Sequence, residues 1–202
     1  MKFHTHQHQN KIKLMNKNIK NLSANGFTFI ELMIVMTMVA VMAAIALPNL
    51  GEFVANNRLK SQMYDMLESI NIARSEAVKR KVKTVMCRSA DPTATTPACG
   101  GTANTWTTGW IVYAKGDTAD AYNSATDTII GIGNAADDTV NIMSNGSGNS
   151  YLVYKPDGSL NEAGSVVYAI CDDRGESHGK QISIALVGRA SITSNPITDC
   201  TP

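Results

Sequence analysis

Gly26-Phe27-Thr28-Phe29-Ile30-Glu31 opens an apolar run that continues to Leu47. Between Phe27 and Leu47 the single formal charge is Glu31, and Thr28 and Thr37 are the other polar residues. As a helix this run is roughly 30 Å long, enough to cross the hydrocarbon core of a bilayer. A carboxylate in the middle of such a segment costs about 2.5–3.5 kcal/mol on insertion scales, so Glu31 calls for a cationic partner. No Lys, Arg or His lies between Phe27 and Asn57. The simplest partner is a cation on another subunit, and the segment reads as membrane anchor and assembly device together.

Upstream, residues 1–26 carry Lys2, Lys11, Lys13, Lys17 and Lys20 and no acid. The stretch is rich in Asn, Lys and His, lacks periodicity and reads as a leader rather than as part of the fold. His4, His6 and His8 alternate, but within a leader they carry no metal assignment. Met15 offers a second start, and the choice between Met1 and Met15 stays open. The rest of the chain has 13 basic and 17 acidic side chains, a net charge of −4. The basic end is expected to stay cytoplasmic and the body to lie across the membrane. A body of that charge is a poor generic binder of DNA or anionic lipid, apart from a local patch at Lys79, Arg80, Lys81 and Lys83.

Downstream, Pro48 removes a backbone donor, so a kink is expected there, with Gly51 adding local weakness. The helix then resumes. Leu59, Met63, Met66, Leu67, Ile70, Ala73 and Ala77 recur at three- and four-residue steps and form one apolar stripe for packing on a sheet. Helix is expected from about 28 to about 80. After Lys83 the pattern changes to short β-branched runs between Gly, Asn, Asp and Pro clusters. The predicted strands are Thr84–Arg88, Trp110–Ala114, Thr128–Ile132, Val140–Ser144, Tyr151–Tyr154, Val166–Cys171, Gln181–Leu186 and Ala190–Thr193. Lys155-Pro156-Asp157-Gly158 is a turn signal, and the spacing suits antiparallel sheet rather than βαβ units. Residues 89–108 and 115–127 read as loops.

Cys87, Cys99, Cys171 and Cys200 all fall in the body. An even count in a translocated domain points to two disulfides. Of the three pairings, the local ones, Cys87–Cys99 and Cys171–Cys200, are favoured, each worth about 3 kcal/mol by loop-closure entropy. The first closes a Pro/Thr/Gly-rich loop and the second ties down the tail. With no CxxC, redox and zinc readings have little support.

Gly26-Phe27-Thr28-Phe29-Ile30-Glu31-Leu32-Met33, after a basic leader, resembles the type III signal of type IV pilins and type II secretion pseudopilins. That resemblance implies cleavage by a prepilin peptidase after Gly26 and methylation of the new Phe27 amine. The amine stays cationic, and Glu31 of one subunit would pair with the Phe27 amine of a neighbour. A buried pair of this kind sets register more reliably than it adds net stability. In the body, Asn56-Asn57-Arg58-Leu59, Ala73-Arg74-Ser75-Glu76-Ala77-Val78-Lys79-Arg80 and Gly109-Trp110-Ile111-Val112-Tyr113 resemble the GspH/FimT/FimU group of minor pilins and pseudopilins. So do Tyr154-Lys155-Pro156-Asp157-Gly158 and Gly188-Arg189-Ala190-Ser191.

The resemblance implies an α+β, pilin-like fold with a long N-terminal helix packed on an antiparallel β-sandwich or β-roll. The expected organisation is a cleaved leader at 1–26, a transmembrane and assembly helix at 27–50, an amphipathic helix at 51–83 and a β domain at 84–202. The implied function is a structural, FimU-like minor pilin that enters or primes a type IV pilus. The alternatives are a GspH-like type II secretion pseudopilin and a FimT-like, DNA-binding competence pilin. The implied partners are other pilin subunits, the prepilin peptidase and the inner membrane, with the C-terminal domain in the periplasm and then in a pilus or pseudopilus.

DNA contact is not favoured. DNA-uptake members of the group tend to end in a Gly-Arg-x-Arg motif, whereas here Arg189 is followed by Ser191 where a second Arg would stand, and Ile192–Pro202 has no Lys or Arg. Phosphate binding at physiological salt needs several cations. Ala44-Ile45-Ala46 offers a signal-peptidase pattern, but the Gly-Phe junction and Glu31 argue against ordinary secretion. No catalytic residue, cofactor or metal site is assigned. His178, with Asp172 and Asp173 nearby, reads as a loop histidine, and Asp117, Asp120 and Asp127 lack EF-hand spacing and read as solvated acids.

Overall fold

The structure, a computed structural model, describes residues 26–102, 104–119, 121–145, 150–193, 197 and 200. The leader, with both candidate start methionines and its histidines, lies outside the described residues, as do Asp120, Asp199 and most of the C-terminal tail. The chain forms two compact units, one ending at Ile45 and the other beginning at Ala46. Helix α1 (Phe29–Arg80) contributes to both, and its secondary structure is continuous through Pro48 and Gly51.

In the first unit, every described residue from Gly26 to Ile45 is exposed. Phe29–Ala46 is long and apolar enough to cross a membrane by length and composition. A helix that is apolar on all faces finds no cover of its own in water, and such a surface marks a lipid or protein contact. Thr37 fits this setting because its Oγ1 donates to the Ile34 carbonyl at 2.8 Å, leaving no donor unmet.

In the second unit the pattern of α1 narrows to a stripe. Leu59, Met63, Met66, Ile70, Ala73 and Ala77 are buried, and Leu67 packs partly buried beside them. Among the described residues the strands that follow are β1 (Thr84–Arg88), β2 (Trp110–Ala114), β3 (Thr128–Gly133), β4 (Val140–Asn145), β5 (Tyr151–Tyr154), β6 (Val166–Asp172), β7 (Lys180–Ile184) and β8 (Ala190–Thr193). They form two antiparallel four-stranded sheets, ordered β3-β2-β1-β5 and β4-β6-β7-β8. The main core unites the helix stripe with Met86, Trp110, Val112, Leu152 and Tyr154 of the first sheet and Ile142, Tyr168, Ile170, Ile182 and Ile184 of the second. This is the α+β arrangement expected of a striped helix and alternating strands.

The β7 boundary differs from the sequence reading, which carried the strand to Leu186. Ala185 donates to Arg189 O at 3.0 Å, and Gly188 N–H donates to Ala185 O at 2.7 Å. Gly188 has φ +80°, a conformation that glycine adopts without steric cost, so the chain turns after Ile184 and leaves Leu186 and Val187 at the tip.

The outer face of the first sheet is also covered. Val85, Cys87, Ile111, Tyr113 and Val153 form a second cluster, against which Cys99, Tyr122 and Tyr151 pack. The segment 89–108 is irregular, as expected, but it is not merely a surface loop. Trp106 is fully buried, its Nε1–H donates to Ser144 Oγ at 3.1 Å, and its ring meets Tyr168 edge-on at 5.2 Å. The chain detours to deliver one large aromatic to the core, an anchor that no periodicity announces.

Both local disulfides are present, Cys87–Cys99 with a Cα–Cα distance of 5.6 Å and Cys171–Cys200 with 6.0 Å. The first straps the covering loop to β1. The second joins Cys200 to β6, where Ile197 packs with Ala169 and Cys171 in a small third cluster. Replacing both cysteines of either pair with serine is expected to cost about 2–4 kcal/mol, read as a lower melting temperature. Unchanged melting would show that the bridges constrain nothing.

Candidate assembly elements

At the start of α1 the local chemistry is a helix cap. Thr28 precedes the first helical residue, and its Oγ1 accepts the Glu31 backbone N–H at 3.2 Å, while Leu32 N–H donates to Thr28 O at 3.2 Å. Thr28-Phe29-Ile30-Glu31 has the Ser/Thr-x-x-Glu spacing of a capping box, a feature the sequence reading passed over. An acid in the first turn also suits the positive end of the helix dipole. Glu31 thus has a local structural reason to be there, besides any pairing across subunits. Its carboxylate has no ion-pair partner among the described residues. Gly26 and Phe27 are exposed, Phe27 at 84%, and a Cβ placed on Gly26 would meet nothing. The Gly26–Phe27 peptide bond is therefore sterically open.

In the second unit, three of the quoted motifs converge on one corner. Arg74, half-buried on α1, donates from Nε to Gly158 O at 3.1 Å and from Nη2 to Val187 O at 3.0 Å. Gly158 closes the 155–158 turn, where its N–H donates to Lys155 O at 2.8 Å. There Asp157 Oδ1 accepts Ser159 N–H at 2.9 Å and Ser159 Oγ–H at 2.6 Å. Tyr154 Oη donates to Gly188 O at 3.2 Å, and burial pushes the Tyr154 hydroxyl well above its usual range despite the nearby Arg74 charge. A Cβ on Gly188 would drive into Gly158 O. One guanidinium thus ties the helix to the tips of two hairpins, which two point hydrogen bonds from a lysine would not reproduce.

Arg189 sits beside this corner, exposed, and makes no ion pair or side-chain hydrogen bond among the described residues. Ser191 Oγ donates to Ser183 O at 3.3 Å. His178 is exposed, with Nδ1 3.0 Å from Ser177 Oγ. Asp172 is engaged by Arg174 at 2.6 and 2.9 Å, and among the described residues no hydrogen bond joins the His178 ring to Asp172 or Asp173.

The reading of Asp117 and Asp127 as solvated acids is corrected. Both hold Lys115, whose side chain is 1% exposed: Nζ lies 2.8 Å from Asp117 Oδ1 and 2.7 Å from Asp127 Oδ2, and donates to Ala121 O at 2.9 Å. Asp127, itself buried, also accepts the N–H groups of Gly116 and Asn123 at 2.9 and 2.8 Å. Burial alone would lower the Lys115 ammonium, but its hydrogen bonds to Asp117 and Asp127 outweigh that and raise it. Burial would likewise raise the Asp127 carboxyl, and Lys115 with the two amides holds it down instead. Asp117 is lowered to about 2 by Lys115, then by Thr126 and Asn123. An internal ammonium therefore organises residues 115–127, and no group of metal-ligating side chains occurs among the described residues.

An exposed apolar helix capped at its start, followed by a striped helix braced on two antiparallel sheets, defines a membrane-anchored subunit of the pilin type. The family model for type II transport protein GspH matches residues 64–188, and that for the prokaryotic N-terminal methylation motif matches residues 22–47. The chain belongs to the GspH family. Its fold is similar to that of the type IV minor pilin FimU of Pseudomonas aeruginosa (strain PAO1) in two crystal forms, each at 19% identity. One superposes with a TM-score of 0.57 over 74% of this chain and 99% of that one; the other gives 0.54 over 71% and 100%. No curated protein matches the sequence.

Two outcomes test these elements. Arg74→Ala should cost about 2–4 kcal/mol, from two charge-assisted hydrogen bonds, and Arg74→Lys should recover little of it in thermal melts; full recovery would refute the fork. Asp117 binds its proton near pH 2 folded but near 3.8 unfolded, so its contribution is complete above about pH 4 and lost between there and pH 2. Lys115, raised above 10.5, contributes fully below that value and loses its contribution as pH climbs past it. Asp117→Asn should flatten the acid limb of the stability curve, and Lys115→Met, which leaves two carboxylates unmatched, should cost about 3–5 kcal/mol.

Proposed function

We propose that this chain is a FimU-like minor pilin, a structural subunit rather than an enzyme, that enters or primes a type IV pilus. Residues 1–26 act as a leader that holds the basic end in the cytoplasm, and the prepilin peptidase cuts between Gly26 and Phe27. Methylation leaves the Phe27 amine cationic. Residues 27–50 anchor the subunit in the inner membrane, residues 51–83 carry the packing half of the helix, which ends at Arg80, and residues 84–202 form the periplasmic β domain. Lateral association then pairs Glu31 of one subunit with the Phe27 amine of another and sets their axial offset.

The observation that carries this reading is the coincidence, in residues 22–47, of the methylation motif with a helix that is capped at Thr28 and exposed from Phe29 to Ala46. The pairing of Glu31 is supported by the lack of an ionic partner among the described residues and by the cost of an unpaired carboxylate in lipid. A second reading, a type II secretion pseudopilin, draws on the description of the matched family as a type II transport protein. Both readings use the same processing and pairing chemistry and differ in the assembly that is joined.

Mass spectrometry of the envelope form should find methylated Phe27 as the first residue, and a first residue at Leu47 would instead mean ordinary secretion. Gly26→Ala should leave the precursor uncut. Glu31→Ala should insert and be processed normally yet fall sharply in sheared filament fractions. Normal incorporation of that variant would refute the pairing.

A further inference from the structure

Between α1 and strand β3 runs a groove of about 280 Å³. Its origin is in the sequence of β3, Thr-Ile-Ile-Gly-Ile-Gly. Gly131 and Gly133 stand at core-face positions: a Cβ at Gly131 would touch Val112, and one at Gly133 would overlap the Trp110 indole. Trp110 fills the second gap, and the first stays open beneath the helix. Because β3 is the edge strand of its sheet, the gap opens sideways to solvent, where Ile132 is 49% exposed.

The opposite wall is α1, which presents Asp65 and Glu68. Neither carboxylate has a hydrogen-bond or ion-pair partner among the described residues; Ser69 Oγ donates to the Asp65 backbone carbonyl, not to the side chain. The lining contains no cation. An apolar floor of Val112 and Ile72 under two free carboxylates matches a side chain with an aliphatic stem and a cationic head. The volume is near the lower limit for small-molecule pockets, about 300 Å³, and suits one inserted side chain better than a metabolite.

We propose that this groove is an interaction site for an adjacent pilin-type subunit, which inserts a lysine or arginine with its stem over Val112 and its head between Asp65 and Glu68. The proposal rests on the assembly reading above. It adds to the pairing in the apolar segment a second, body-level contact that selects neighbours by charge.

The test uses the full-length chain in its own cell envelope, with the photo-crosslinking residue p-benzoylphenylalanine placed at Gln62, which lines the groove, and, in a separate strain, at Val39 in the apolar segment. Irradiation at Gln62 should join the chain to a peptide of another pilin-type subunit, with a Lys or Arg next to the attachment point in tandem mass spectra. Asp65→Lys with Glu68→Lys should reduce that adduct at least about tenfold, as expected when like charges are set against each other, and leave the Val39 adduct unchanged. The milder Asp65→Asn with Glu68→Gln keeps the shape of the wall and should reduce it too. Reversing the captured cation to Glu should restore the adduct to the Lys variant. A Val39 adduct without a Gln62 adduct overturns the groove alone. So does a Gln62 adduct to lipid, to a segment lacking a cation, or one indifferent to both charge variants. Loss of adducts at both positions overturns the assembly reading and this proposal with it.

Discussion

Residues 29–46 expose apolar side chains on every face of a helix, and nothing among the described residues covers them. Water cannot be the final surroundings of such a surface, since burying it is worth roughly 25 cal/mol per Å². Apolar surroundings are what such a helix requires, which suits the membrane anchor of a pilin-type subunit. The first unit supplies its own backbone satisfaction through i→i−4 bonds and the Thr28 cap, which is what a membrane demands. The second unit asks for no such help. Its core closes between the Leu59–Ala77 stripe and two sheets, so the anchor and the body answer to different solvents.

The broad apolar core of the body is pinned at its edge by a few polar points. Arg74 binds two hairpin tips, Gly188 passes close against Gly158, and Tyr154 reaches Gly188 O. The Ala73-Arg74, Tyr154–Gly158 and Gly188-Arg189 motifs, separate in the chain, are parts of this one corner. A guanidinium fork suits it because two carbonyls on different hairpins must be met at once. Lys115 does a similar task for the loop 115–127, with carboxylates in place of carbonyls.

Much of this was legible in the sequence because it is periodic. The stripe from Leu59 to Ala77 predicts the buried face of the helix, and the bounds of β1, β2, β5 and β8 follow from β-branched runs ending at Gly, Asn or Pro. The Lys155–Gly158 turn is legible for the same local reason. What escaped is what depends on distant partners. Trp106 lies in a stretch of Thr, Ala and Gly and is buried only because Ser144 and Tyr168 await it. Asp117 and Asp127 looked like solvated acids because charge alone does not reveal that Lys115 stands opposite. Arg74 was quoted as part of a motif, yet its two acceptors are more than eighty positions away in the chain. The cap at Thr28 was local and legible in principle, but the cost of Glu31 in lipid drew attention from the threonine three places before it.

Both disulfides close loops that begin beyond residue 86, and neither crosses to α1. A load applied to the body through its helix would therefore pass into the sheets through the apolar stripe, the Arg74 fork and the short backbone link from Arg80 to Thr84, with neither disulfide sharing it. Traction would peel the rod from the sheets before it strained either disulfide, and the segments that these close would survive that separation with their crosslinks intact.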